Sequence, residues 1–75
     1  MKLTFIQAGE VTAKGNICLH FDFVKKSPVG FTTKRVFCVV QADTATIPAD
    51  GEIVDFGNDF ELVTKDGFTM VEAIA

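Results

Sequence analysis

The chain has 75 residues, of which 48% are hydrophobic and 23% are charged. This length allows one domain with a thin core, and this composition excludes an intrinsically disordered chain, which needs low hydrophobicity and high net charge. The apolar runs are far shorter than the roughly 20 residues that span a bilayer, and no secretory signal is visible in MKLTFIQAGE. We therefore expect a cytoplasmic protein without a membrane partner, whose two cysteines are free thiols.

The charge is divided unevenly along the chain. The formal net charge is −3, with +4 in residues 1–40 and −7 in residues 41–75. Such asymmetry between halves indicates a surface that binds a polyanion, provided that the basic groups converge in space. The alternative is an ordinary solvated surface whose charge happens to be uneven.

Period-two alternation and turn residues predict six short strands. In chain order these cover residues 2–7, 17–24, 31–40, 52–56, 60–64 and 68–74. Residues 8–16 are predicted to be a polar connection, residues 25–30 a hairpin tip, and Asp66-Gly67 a tight hairpin turn. This spacing is typical of a small barrel, so we expect one all-β domain over residues 1–75, with an OB-like barrel of five to six strands and negligible helix.

Signals of catalysis are weak. Cys18, His20 and Asp22 fall on one face of the second strand, a spacing that could hold a metal or pair a thiol with an imidazole. No further pair of ligands completes a structural zinc set, and no glycine-rich phosphate loop or calcium loop is present. We therefore predict that the protein is not an enzyme and has no catalytic residue, metal or cofactor.

The one segment of the sequence whose composition points to a binding function is a basic hairpin. Four cations lie within eleven residues, at Lys25, Lys26, Lys34 and Arg35, and phenylalanines alternate with them. A binder of single-stranded nucleic acid needs such a cationic track together with aromatic faces on which bases stack. Lys34 and Arg35 are adjacent and point to opposite faces of their strand, so both can reach one strand of nucleic acid only if the hairpin projects from the barrel.

Three segments resemble a known family. Residues 12–16 (TAKGN), 47–51 (IPADG) and 65–67 (KDG), with the length and the strand order, resemble the single-stranded-DNA-binding proteins of filamentous phages. The resemblance implies a five-stranded OB-type barrel, a two-fold homodimer and a protruding hairpin that grips the strand. It also implies cooperative coating of phage replication intermediates in the host cytoplasm.

The resemblance also implies which residues bind. The predicted phosphate contacts are Lys14, Lys25, Lys26, Lys34 and Arg35, and the predicted stacking residues are Phe31 and Phe68. The chain differs from the family in having no tyrosine or tryptophan, and Ile17 and Cys18 stand where an aromatic residue would be expected. The expected partner is single-stranded DNA, with RNA as an alternative ligand.

A second hypothesis concerns the acidic half of the chain. Eight acidic residues follow residue 42. They could mimic phosphate charge on a small β-protein that binds or inhibits a host protein. Binding to DNA that weakens steeply with salt would distinguish the first hypothesis from the second.

Overall fold

The computed structural model describes residues 1–74 and contains one six-stranded sheet. The strands are β1 (Lys2–Val11), β2 (Asn16–Ser27), β3 (Gly30–Gln41), β4 (Ile53–Asp55), β5 (Phe60–Lys65) and β6 (Phe68–Ala73). Their order in the sheet is β4-β1-β2-β3-β6-β5, and neighbours are antiparallel except for β3 and β6. No helix occurs in the described residues, so none could cross a membrane. The predicted all-β fold with six strands is confirmed.

Alternation along the strands gives the sheet two different faces. Ile17, Leu19 and Phe21 of β2 are buried on one side, which we call the core face. The other buried apolar residues of this face are Leu3, Phe5, Val36, Cys38 and Val71. The intervening residues of each strand point to the opposite side, the outer face, because successive side chains of a strand alternate.

The expected closure into a barrel is wrong. β4 and β5 are the two edges of the sheet and do not pair with each other. The core is closed there by rings: Phe56 contacts Phe21 and Phe60 edge to face, with centroids 5.3 and 5.7 Å apart. β4 has only three residues, too few for an extended ladder with a second neighbour. Aromatic packing therefore replaces the hydrogen bonds that would close a barrel.

The first strand is longer than its sequence predicts. Residues 8–11, expected in a loop, continue β1 because they pair with the long β2, with irregular register between Phe5 and Gln7 and between Ala8 and Val11. Phe5, which precedes the first irregularity, donates its amide to the Glu52 carbonyl and accepts a hydrogen bond from the Gly51 amide, both at 2.8 Å. The turn at Asp66-Gly67 forms as predicted, with positive φ of 52° and 82° at its two residues.

The hairpin of β2 and β3 projects beyond the sheet. β1 pairs with β2 only as far as Asp22, and β6 meets β3 at Phe37. Residues 23–34, which we call the distal ribbon, therefore pair only with each other, from Phe23–Lys34 to Ser27–Gly30. The protruding basic hairpin expected from the sequence is present.

Candidate nucleic-acid interface

Three aromatic rings meet on the outer face of the sheet. The register places His20 of β2 opposite Phe37 of β3, and Phe37 beside Met70 of β6. The Phe37 ring contacts His20 and Phe68 edge to face, with centroids 5.0 and 5.8 Å apart. We call His20, Phe37 and Phe68 the outer aromatic cluster; Phe68 is 59% exposed, whereas His20 and Phe37 are half-buried, so Phe68 is the ring most accessible to a planar ligand.

A glycine on β1 makes room for the imidazole of this cluster. A Cβ atom at Gly9 would lie 3.7 Å from Nε2 of His20 and 3.3 Å from the main-chain oxygen of Cys18. The second distance is tight for a backbone neighbour, which cannot move without disturbing the ladder. Gly9 therefore lets β1 approach β2 closely beneath the His20 ring.

The distal ribbon carries both charge and an aromatic ring. Lys26 and Phe31 are cross-strand partners on the outer side of the ribbon, and Phe31 is 72% exposed. Lys25 and Lys34 lie on its other side, next to residues that lead into the core. All three lysines are exposed, and none of them is in a salt bridge within residues 1–74.

Arg35 differs from these lysines because its charge is paired. Its Nε donates to Oδ1 of Asp22, its cross-strand neighbour, at 2.8 Å. Only Nε is engaged, so the terminal nitrogens of the guanidinium remain available for a phosphate oxygen. The nearby carboxylate nevertheless offsets the positive charge that Arg35 presents at the outer face.

Lys14 lies away from the other predicted contacts. It belongs to the turn between β1 and β2, where the Gly15 amide donates to the Thr12 carbonyl at 2.9 Å. The whole of β2 separates this turn from the ribbon tip, a span of about 40 Å at the usual rise per residue. Of the other predicted residues, Lys26, Phe31, Arg35 and Phe68 share the outer side, whereas Lys25 and Lys34 lie on the opposite side of the ribbon.

Sequence reasoning missed four residues that border the candidate interface. His20, Phe37 and Met70 occupy the middle of the outer face, and Lys65 is the cross-strand partner of Phe68. The signal for Phe37 is its even spacing from Phe31 and Arg35, which places the three on one face of a strand. The neighbours on β6 cannot be found this way, because the β3–β6 pairing joins residues more than thirty positions apart.

The triplet of Cys18, His20 and Asp22 shares the outer face, as its spacing predicts. His20 packs on Phe37 and Asp22 binds Arg35, so these side chains are engaged in other contacts. Within the part of the chain that the structure describes, no three His, Cys, Asp or Glu side chains are grouped to hold a metal. Burial raises the pKa of the Cys18 thiol, which disfavours a reactive thiolate.

An acidic pair borders the outer aromatic cluster on the side away from the ribbon. Glu61 of β5 and Glu72 of β6 are direct cross-strand partners, and both are exposed. They share the outer face with Phe68 and Met70, since every second residue of β6 points to that side. A polyanion on this face is therefore repelled at one end and attracted by the ribbon at the other.

The chain matches no known family model, no curated protein and no solved structure. The resemblance to the filamentous-phage proteins therefore stays a prediction, and so do the site residues that it implies.

Proposed function

We propose that this protein binds single-stranded DNA without sequence preference, through the distal ribbon and the outer aromatic cluster. The observation that supports this most is the exposure of Phe31 and Phe68 on the same side of one sheet as Lys26 and Arg35. Bases stack on aromatic faces while cations follow the phosphates, and stacking tolerates any base. RNA offers the same two features and is the alternative ligand.

Charge supports the ribbon as the track for the phosphates. Residues 23–34 contain three lysines and no acidic residue, whereas the other 63 residues contain ten acidic and four basic ones. The ribbon is therefore the segment whose charge most favours a phosphate backbone. The resemblance implies a role in coating phage replication intermediates in the host cytoplasm. Such coating requires binding to single-stranded DNA without sequence preference.

Aromatic substitutions test the stacking step. Phe31→Ala and Phe68→Ala should each weaken binding of labelled oligo-dT, measured by fluorescence anisotropy, by about five- to 150-fold, because stacking on one ring contributes about 1–3 kcal/mol. Val29→Ala is the matched control, since Val29 is 97% exposed at the ribbon tip and adds no ring. Equal affinity of all three variants and the parent would show that the rings do not bind bases.

Lysine substitutions test the position of the track. Lys26→Ala and Lys34→Ala should each lower affinity for a short oligo-dT, whereas Lys14→Ala, at the far end of β2, should leave it unchanged. An effect of Lys14→Ala as large as the other two would place the phosphates elsewhere. If the parent binds no nucleic acid at low salt, the proposal fails, and the acidic, protein-binding hypothesis takes its place.

A further inference from the structure

β5 is a six-residue strand at one edge of the sheet, and the edge that faces away from β6 has no partner strand among the described residues. It pairs with β6 alone, from Phe60–Ala73 to Lys65–Phe68. An exposed strand edge presents unpaired N–H and C=O groups that can accept another strand. The other edge, β4, has three residues and offers much less.

The hydrogen-bonding phase of β5 follows from its turn. Lys65 and Phe68 flank the two-residue turn at Asp66-Gly67, so they form a hydrogen-bonded pair. The amide of Ile74 donates to the carbonyl of Asp59 at 2.9 Å. Asp59 lies six residues before Lys65, an even number, so both residues bond toward β6 as alternation along a strand requires. The odd-numbered residues of β5 therefore bond to β6, and the main-chain groups of Leu62 and Thr64 face the open edge.

We propose that a second copy of the chain docks on this edge, β5 against β5, antiparallel about a two-fold axis at Val63. In this register Leu62 of each copy exchanges main-chain hydrogen bonds with Thr64 of the other. Val63 then faces Val63 of the second copy. Glu61 faces Lys65 of the second copy, and the symmetry repeats that pair on the other side of the axis.

Charge complementarity selects this occupant and this register. Within one chain Glu61 stands opposite Glu72, an unfavourable pairing of like charges. The Lys65 side chain of a second copy gives Glu61 an opposite charge in a non-hydrogen-bonded pair, where side chains approach most closely. A second register near the middle of β5 uses the same main-chain groups but has its two-fold axis at Leu62. In that register Glu61 lies opposite Val63 of the second copy and has no partner of opposite charge.

The two-fold axis runs perpendicular to the sheet, so both outer faces point to the same side. The two outer aromatic clusters then lie on one continuous sheet of twelve strands, and the two distal ribbons project from it in opposite directions along the strands. The association requires no nucleic acid and is tested without it. Its failure would therefore leave the proposed DNA binding standing, and the reverse also holds.

A charge swap tests the pairing. Sedimentation equilibrium of the parent should give twice the chain mass of 8.1 kDa. Glu61→Lys and Lys65→Glu should each weaken the dimer by about tenfold or more, because each creates two like-charge pairs across the axis. The double variant should recover the parent affinity. The interface would be overturned if the parent stayed monomeric at about 100 μM. It would also be overturned if either single variant dimerised as strongly as the parent.

A cross-link tests the register. Val63→Cys should form an intermolecular disulfide on mild oxidation, because a non-hydrogen-bonded pair has its Cα atoms about 4.5 Å apart, within disulfide range. Thr64→Cys is the matched control, since Thr64 faces Leu62 and not itself. The parent controls for Cys18 and Cys38. Equal cross-linking of the two variants, or none at Val63→Cys, would contradict an axis at Val63.

Discussion

The ring of Phe56 covers the core between β4 and β5, where no strand pairing closes the sheet. Phe56 follows the last residue of β4, and its ring lies between those of Phe21 in the core and Phe60 at the start of β5. Phe21 in turn contacts Phe5, with centroids 5.5 Å apart. The four rings form a chain of edge-to-face contacts, the geometry that aromatic pairs prefer. One side chain therefore connects the two edges of the sheet.

Removing this ring should destabilise the whole domain. Phe56→Ala should lower the free energy of unfolding by about 2–3 kcal/mol, less than for a fully buried phenylalanine because Phe56 is only half-buried. Urea denaturation followed by circular dichroism measures the change. Phe31→Ala is the control and should stay within about 0.5 kcal/mol, since Phe31 is exposed on the ribbon. An unchanged midpoint for Phe56→Ala would mean that the rings do not close the core.

Asp55 holds the start of the chain by an electrostatic contact. The amide of Gly57 donates to its carboxylate at 2.9 Å, and the amino group of Met1 lies 3.8 Å away. The hydrogen bond from Gly57, followed by the charges of the chain amino group and Lys2, lowers the pKa of Asp55 below its ordinary value. Carboxyl NMR should show this lowered midpoint in the folded protein.

The pH dependence of this contact has a definite sign. Because the folded pKa is the lower one, the contact stabilises the fold above the ordinary pKa of an aspartate and is lost as the pH falls through the folded value. Asp55→Asn should remove that part of the acid dependence while leaving stability at pH 7 slightly reduced. A carboxyl midpoint at the ordinary value would contradict the contact.

At the scale of elements, the sequence predicts local structure and misses distant closure. The hairpin of β2 and β3 and the turn at Asp66-Gly67 depend on neighbouring residues, and both form as expected. The polar composition of residues 8–11 indicated a loop, but pairing with β2 extends β1 through them. Whether the sheet closes between β4 and β5 depends in part on the packing of Phe56 against Phe21, far away in the sequence, which alternation does not encode. The same limit hid the contact of Phe68 with Phe37.

The distal ribbon should be separable from the fold. Replacing residues 24–33 with an Asn-Gly turn between Phe23 and Lys34 should preserve the circular dichroism of the sheet and its urea midpoint, because these residues pair only with each other. The same variant should lose most of its affinity for oligo-dT, since it lacks Lys25, Lys26 and Phe31. Unfolding of the variant would show that the ribbon supports the sheet, and unchanged affinity would show that it does not bind.

For the whole molecule, the salt dependence of binding should reveal how few phosphates are contacted. With three unpaired lysines and the partly compensated Arg35, log affinity should fall against log salt with a slope near −2 to −3, at about −0.7 for each phosphate contact. The double variant Lys25→Ala/Lys26→Ala should make this slope shallower by about 1.4, the contribution of two phosphate contacts. A parent whose affinity does not change with salt would exclude a phosphate track on the ribbon.

The ribbon has a further consequence for how the molecule moves toward a ligand. The protein is elongated, with extents of 43 × 27 × 23 Å, and its excess of positive charge is confined to a projecting end while the remainder is acidic. Such a separation gives the molecule a permanent dipole moment. The field of an approaching polyanion exerts a torque that turns the ribbon forward during rotational diffusion, although the net charge is repulsive. We therefore expect productive encounters to begin at the tip, and association to be faster than a net charge of −3 alone would allow.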